Sequence, residues 1–536
     1  MLFACTLLIA TSLFAQPENW FNLDPEDDKI LGVSTERMYE KLIQGKTGQV
    51  VIVAVLDSGV DSNHKELKEI MWVNADEIPN NGLDDDKNGY IDDIHGWNFL
   101  GNAKGENVRY DNLEMTRIYR KLKPKYENAD STKFTKKELA EFRLYQQFSK
   151  DLKSNQQKYK DATFLEPFYN SLVKLKTLIG KEAISAEDIE GFETDDPLVA
   201  RTANVALELI NQGYTLDGII EEVQEQFEYY TARYNYMYNP DFDPRSIIGD
   251  DYDNPKDRNY GNNDVKGPDA FHGTAVAGAI AANRNNNTDV KGVANNVRIM
   301  AVRVVPDGDE RDKDVANAIR YAVDNGASVI NMSFGKGYSW DKKAVDKAVK
   351  YAAKKDVLLV HAAGNDGKEN LPSNNFPNDQ YEKKGFLGIG KKSPDNWIEV
   401  GALSWETGEN MAASFSNYSK QNVDVFAPGV RMKLPVQDDK YRVMDGTSFA
   451  APVVSGVAAM LRSYFPGLTA KQVKEIIIES SIRPKGMVIK PGTNELVPFE
   501  DLSVSGGMAN VFNAMIKANE VQGKKKSKAT KEIAIP

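Results

Sequence analysis

Cysteine is almost missing from this chain: Cys5 is the only one, and it sits inside the apolar run that opens the sequence. With that run removed no thiol remains, which excludes both disulfide crosslinks and thiol catalysis. Stability then has to come from packing, with metal ions as a further source. Histidine is also scarce, at four residues, so there are few imidazoles to act as a base. Positive charge is outweighed, 67 Lys and Arg against 78 Asp and Glu for a net −11. That balance argues against a nucleic-acid binder, which would carry a basic surface or stripe. Beyond the opening residues no run is apolar and long enough to span a bilayer, so no stable membrane span is expected. Residues 1–15, ending at Ala15, read as a secretory signal peptide. The protein is therefore expected to be exported, to the periplasm or outside the cell.

Short runs rich in branched residues recur at 50–56, 329–332, 357–362, 398–402 and 423–426. Helix-period stretches such as 315–323 and 344–353 lie between several of them. This alternation predicts an α/β fold, a mostly parallel sheet covered by helices on both faces. A different text fills 105–245: charged, Tyr-rich, poor in glycine and helically spaced. There Thr135 and Glu138 form a capping box ahead of Leu139, Phe142, Tyr145, Phe148 and Leu152. Val205, Leu209 and Ile210, a stop at Gly213, then Ile219, Ile220, Val223 and Phe227 suggest a further helix pair. The expected organisation is a signal at 1–15, two parts of one α/β domain at 16–104 and 246–520 around a helical insertion at 105–245, and a basic, disordered tail at 521–536.

Three segments carry chemistry. Val51-Ile-Val-Ala-Val-Leu-Asp57-Ser58-Gly59 is a buried strand that delivers a carboxylate at its carboxyl end, the edge where sites of open α/β sheets gather. An aspartate there can equally cap a turn. Phe271-His272-Gly273-Thr274 places an imidazole at the start of a helix of small residues. A histidine satisfied at a helix terminus is the plainer reading, although His64, His95 and His361 lack this setting. Asp445-Gly446-Thr447-Ser448-Phe449-Ala450-Ala451-Pro452 puts a serine at the amino end of an apolar helix. Its hydroxyl is expected to be exposed and its N–H free for a developing oxyanion, and the competing role is an ordinary N-cap. Pro452 is expected in the first turn, where no N–H is needed.

Together, and in the order Asp, His, Ser, these motifs resemble the signatures of the subtilisin-like (subtilase) serine peptidases over about 48–99 and 267–518. The resemblance implies a three-layer α/β/α sandwich and serine endopeptidase activity through an acyl-enzyme. Ser448 would be the nucleophile, His272 the general base and acid, and Asp57 the group that fixes the imidazole tautomer. Asn365, in Val360-His361-Ala362-Ala363-Gly364-Asn365-Asp366, would donate to the oxyanion. Ser333, Phe334 and Gly335 resemble part of the edge strand on which extended polypeptide substrates lie. The alternative function is a catalytically silent scaffold of this family that binds peptides or partners at the cell envelope.

Asp57 and His272 stand 215 positions apart, far more than in simple members of the family. Since the two must be neighbours, the insertion has to leave and rejoin the core near them. Ala275 replaces the second histidine of the usual His-Gly-Thr-His, and residues 383–392 add a Lys-Lys-Gly-Phe-Leu-Gly-Ile-Gly-Lys-Lys segment to the pocket-forming stretch 372–397.

No organic cofactor is implied, but calcium is. Asp84, Asp86, Asn88, Tyr90 and Asp92 alternate around Gly89 like the first nine positions of a calcium loop. His95 stands where the twelfth-position glutamate belongs, and Asp93 is a substitute carboxylate. A second calcium site, suggested by the resemblance, would use Glu66 and Asn286.

Overall fold

The structure, a computed structural model, describes residues 16–160, 165–382 and 392–532. The expected signal segment and most of the Lys-rich 383–392 segment lie outside the described residues. The chain divides into two compact units, Met1–Asn107 with Asp251–Val305 and Arg311–Pro536, and Val108–Asp250 with Pro306–Glu310. The first boundary falls within a few residues of the one expected from composition. The short Pro306–Glu310 loop, which nothing in the sequence marks, belongs to the second unit.

In the first unit the branched runs form strands of one seven-stranded sheet: β1 (Val51–Asp57), β2 (Gly96–Asn98), β3 (Val297–Arg303), β4 (Val329–Met332), β5 (Leu358–Ala362), β6 (Trp397–Leu403) and β7 (Val425–Pro428). The order is β2-β3-β1-β4-β5-β6-β7 and every pairing is parallel. Such strands are buried on both faces, which is why they read as nearly continuous apolar runs. β2 and β3 escape that pattern. β2 has three residues, and arginines at 298 and 303 interrupt β3. Arg303 is nonetheless buried, donating Nε to Ser58 O at 2.8 Å and Nη1 to Asn98 Oδ1 at 3.1 Å.

Five helices matter here: α1 (Phe271–Ala281), α2 (Asp312–Asp324), α3 (Lys342–Lys354), α4 (Thr447–Tyr464) and α5 (Ala470–Glu479). From β1 the chain passes through α1 to β3 in one direction. It then returns through α2 to β4 and through α3 to β5 in the other. Right-handed crossovers therefore put α1 on one face and α2 and α3 on the opposite face, and α4 packs with α1. The result is a three-layer α/β/α sandwich. β1 lies where the direction reverses, so its carboxyl end is the switch point at which sites form in such sheets.

The second unit is helical: Glu114–Tyr126, Lys136–Lys160, Leu165–Ile179, Ala186–Glu190, Pro197–Asn211 and Leu216–Ala232. The Thr135–Glu138 capping box forms, with Glu138 N donating to Thr135 Oγ1 and Thr135 N to Glu138 Oε2. Leu172, Leu175, Ile189, Val199, Ala203, Ala206, Leu216 and Ile219 make a small core. Val205, expected on the inner face, is exposed, because the helix turns its smaller residues, Thr202, Ala203 and Ala206, inward.

The helix Val511–Glu532 runs into the segment 521–536 that was expected to be a disordered tail, lysine being a good helix former.

Candidate active site

β1 brings Asp57 to the sheet edge and α1 brings His272 against it. The approach needs glycine: a Cβ on Gly273 would lie 2.1 Å from Gly59 O and 3.0 Å from Asp57 Cβ. Gly59 itself has φ +135°, a value that side chains resist. The glycines of Asp-Ser-Gly and His-Gly-Thr are thus two halves of one contact. Across it His272 Nδ1 lies 2.7 Å from Asp57 Oδ1, which also accepts from Ser58 N at 2.8 Å. Asp57 Oδ2 is buried without a partner.

An ionised carboxylate only accepts, so Nδ1 carries the hydrogen and Nε2 presents a lone pair. His272 is 34% exposed at its side chain and crowded by protein elsewhere. That burial disfavours the imidazolium. The Asp57 charge and hydrogen bond, with Asp269 farther off, outweigh it and hold the pKa above the ordinary histidine value.

Ser448 is the second residue of α4, and Gly446 is the N-cap residue, with no side-chain cap. The ordinary N-cap role for Ser448 is therefore excluded. Its Oγ donates to Ser333 O at 3.1 Å, and Ser333 Oγ donates to Ser448 O at 2.7 Å. Pro452 lies deeper in α4 than the first turn, four residues beyond Ser448. With no N–H of its own, it leaves Ser448 O free for Ser333. Among the described residues Ser448 Oγ bonds this carbonyl and not the imidazole. Phe449, the next residue, has its ring 5.4 Å from that of His272. Catalytic hydrogen bonds are often unformed without substrate.

Asn365 is fixed by its oxygen. Oδ1 accepts from Thr447 N at 2.9 Å and Thr447 Oγ1 at 2.8 Å, while Thr447 Oγ1 accepts from Gly364 N at 3.0 Å. The amide is thereby oriented with Nδ2 toward Gly446, 3.6 Å from where a Cβ there would lie. Thr447 had no role of its own in the sequence reading; its place beside Ser448 in the motif was the available signal.

Ser333, Phe334 and Gly335 do not lie in an edge strand. They follow β4, an interior strand between β1 and β5, past its carboxyl end. Beyond the sheet the chain is freed, and Lys336 forms an antiparallel bridge with Phe376.

The acidic loop is built around Glu77, which sequence reasoning did not include. Glu77 Oε1 accepts from Asp85 N and Asp86 N, and Oε2 from Asp92 N. Carboxylate oxygens of Glu77, Asp84 and Asp86 lie within 4.8 Å of one another. Asp92 turns away and caps Asn81 N and Gly82 N. Tyr90 puts its ring among Trp97, Phe99 and Tyr321, leaving only its main chain to the loop. Asn88 Oδ1 accepts from Tyr90 N, and its Nδ2 donates to Asp86 and Asp93. Asp93 is fully buried; desolvation pushes its pKa up to about 6 against bonds from Tyr321, Asn74 and Asn88. His95 Nδ1 binds Trp72 O at 2.8 Å, away from the carboxylates. Glu66 and Asn286 do meet, Asn286 Nδ2 donating to Glu66 Oε2 at 2.6 Å. Tyr441 takes the other oxygen, so the carboxylate is already satisfied by donors.

A sequence model described as the Subtilase family matches residues 48–514. Over 226 residues the chain is 39% identical to a thermophilic serine proteinase of Bacillus sp. (strain AK1), covering 42% of this chain and 49% of that one. Subtilisin DY of Bacillus licheniformis is 37% identical over 38% of this chain and 67% of its own. Subtilisin E of Bacillus subtilis (strain 168) is 36% identical, over 38% and 49%. The match thus spans about half of the first and third relatives and two thirds of the second.

Proposed function

Because the chain belongs to the subtilase family, we propose that it is an exported serine endopeptidase that hydrolyses polypeptides through an acyl-enzyme on Ser448. The observation that carries this reading is the Asp57–His272 hydrogen bond of 2.7 Å at the switch point, with Ser448 on the neighbouring helix.

In the forward step Ser448 Oγ bonds to the peptide carbonyl carbon and its proton passes to His272 Nε2. Asp57 stabilises the imidazolium. The carbonyl oxygen, now negative, is met by Asn365 Nδ2 and by the Ser448 N–H, which has no intrahelical partner in the first turn. The C–N bond then breaks and His272 gives its proton to the leaving amine. Water repeats the sequence and releases the acid. To attack, Ser448 Oγ must leave Ser333 O, a rotation about one side-chain bond.

Export is supported by the apolar leader and by the lack of cysteine after it. Among the described residues no helix is long and apolar enough to cross a membrane. For the acidic loop we propose a structural calcium ion held by Asp84 and Asp86, with Glu77 as the added carboxylate. An all-oxygen, carboxylate-rich set suits a hard cation, and its role would be to tie the loop together. Asp92 and the Glu66–Asn286 pair have no part in it.

A fluorophosphonate probe tests the catalytic reading. Covalent labelling at Ser448, lost in Ser448→Ala together with peptide cleavage, is the expected result. A folded, calcium-replete sample that neither labels nor cleaves would favour the silent-scaffold reading.

A further inference from the structure

Below the cleft lies a buried ionisable pair that the proposed mechanism does not use. His361 is the penultimate residue of β5 and Glu399 is its register partner on β6. His361 Nδ1 approaches the carboxylate oxygens at 3.0 and 3.1 Å. Trp397 Nε1 and Asn375 Nδ2 donate to the same carboxylate at 2.9 Å each, and Asn370 Nδ2 at 3.4 Å. Glu399 is therefore fully supplied with donors. His361 Nε2 has no hydrogen-bond partner and is buried. A buried polar atom left unpaired is costly, and each such atom in a folded protein asks for a partner.

The direction of that nitrogen shows where the partner would come from. Nδ1 faces β6, so the opposite ring edge faces β4, where Met332 is the register partner of His361. Past this pair the two segments leave the sheet as Ser333–Phe334–Gly335 and, after Ala362, as Ala363–Gly364. A Cβ on Gly335 would stand 3.8 Å from His361 Cε1, and the Phe334 ring meets the imidazole edge-on at 6.3 Å. One of these segments supplies the carbonyl that holds Ser448 Oγ, and the other leads into Asn365. A peptide with its carbonyl carbon at Ser448 and its oxygen at Asn365 sends the side chain preceding the cut into the wedge between them. There His361, fully buried, stands behind Phe334 and Gly335.

Resting on the proteolytic reading, we propose that His361 Nε2 is a specificity-determining hydrogen-bond acceptor for the side chain preceding the cut. It is reached when Phe334 turns aside, and it selects a neutral donor such as an amide or hydroxyl. Polarity follows from the pair: with the Nδ1 hydrogen directed at the carboxylate, the neutral form of the ring offers a lone pair at Nε2. An ammonium would have to shed its hydration in a desolvated site whose one carboxylate is already supplied with donors, and is disfavoured. A carboxylate has no hydrogen to give.

The test uses the full chain at mildly alkaline pH and three peptides that differ only before the cut, with glutamine, methionine or glutamate. Glutamine is expected to exceed its near-isostere methionine in kcat/KM by about tenfold, one buried hydrogen bond, with glutamate lowest. His361→Phe combined with Glu399→Gln removes acceptor and charge together, and should bring the glutamine-to-methionine ratio to about one or below. Phe334→Ala keeps the pair and should keep the preference. Methionine or glutamate preferred by the wild type, or a ratio unchanged in the double variant, overturns the proposal. Should the double variant fail to fold, the wild-type order and the Phe334→Ala order still decide. Fluorophosphonate labelling of Ser448 is measured alongside: an unlabelled, inactive wild type refutes proteolysis itself, while a labelled enzyme with the wrong order refutes only this inference.

Discussion

Ser333 and Ser448 hold each other through two reciprocal hydrogen bonds, Ser333 Oγ to Ser448 O at 2.7 Å and Ser448 Oγ to Ser333 O at 3.1 Å. The first is possible because Pro452 leaves the Ser448 carbonyl unclaimed by α4. Asn331 extends the chain, donating Nδ2 to Ser333 Oγ at 2.9 Å while its Oδ1 accepts from Ser455 Oγ at 2.8 Å. A buried polar chain thus ties β4 to the helix that carries Ser448.

Ser333→Ala removes the tie and strands the Ser448 carbonyl and Asn331 Nδ2. Leaving a buried group unsatisfied costs about 1–3 kcal/mol. The melting temperature should fall, and kcat should drop by about tenfold as the start of α4 loosens. KM should change less, because the substrate-facing main chain is kept. Steady-state kinetics beside a thermal melt checks this; a loss in KM alone would mean that Ser333 binds substrate and does not position Ser448.

The Asp57–His272 bond predicts a pH dependence of definite sign. His272 has its folded pKa raised, so its charged form contributes stability that is fully present below the unfolded value of about 6.5. That contribution is lost as pH rises through the folded value. Activity runs the other way, since the neutral ring is the base. The acid limb of kcat/KM should therefore lie above the ordinary histidine value. Asp57→Asn should move it to lower pH and reduce kcat by about 10⁴. A limb that stays in place in this variant would show that another group sets it.

Asn365→Leu keeps the volume and removes the donor, with an expected loss of about 10²–10³ in kcat and little change in KM. Thr447→Val should share that signature more weakly, because it leaves Asn365 Oδ1 and Gly364 N without the hydroxyl that orients them. Thr447→Ser restores the hydroxyl and should recover most of the rate. If Thr447→Val changes only the melting temperature, the clamp is structural and not part of the oxyanion site.

The parts of the site legible in the sequence were those encoded by neighbouring residues. Gly59 and Gly273 flag a close approach, and Thr447-Ser448 flags a helix start. Burial on both faces marked β1, β4, β5, β6 and β7. Features made by residues distant in sequence were less visible. The arginines of β3 hid a buried strand, because Arg303 finds its partners on other segments. Pro452 looked like a first-turn proline, although its effect is on a carbonyl four residues back. Glu77 stands outside the loop motif it organises, and nothing in its local sequence points there. His361 could not be separated from an ordinary core histidine until Glu399 and its unpaired Nε2 were seen together.

The acidic loop gives a prediction of its own. Glu77, Asp84 and Asp86 bring three carboxylates within 4.8 Å, a repulsive arrangement unless a cation or donors screen it. Main-chain N–H groups supply part of that screening, from Asp85 and Asp86 to Glu77 and from Asn88 and Gly89 to Asp84. A calcium ion at a hundredfold excess over Kd would add about 2.7 kcal/mol to folding stability, a rise of several degrees in melting temperature. Chelation with EGTA should remove that rise, calcium should restore it and magnesium should not, since its small octahedral shell fits a loop of this kind poorly. Glu77→Gln should weaken the calcium response without abolishing Ser448 labelling below the melting point, because the loop carries no reacting group. A melting temperature indifferent to EGTA and to added calcium would sink the assignment and leave the main-chain donors as the screen that holds the loop.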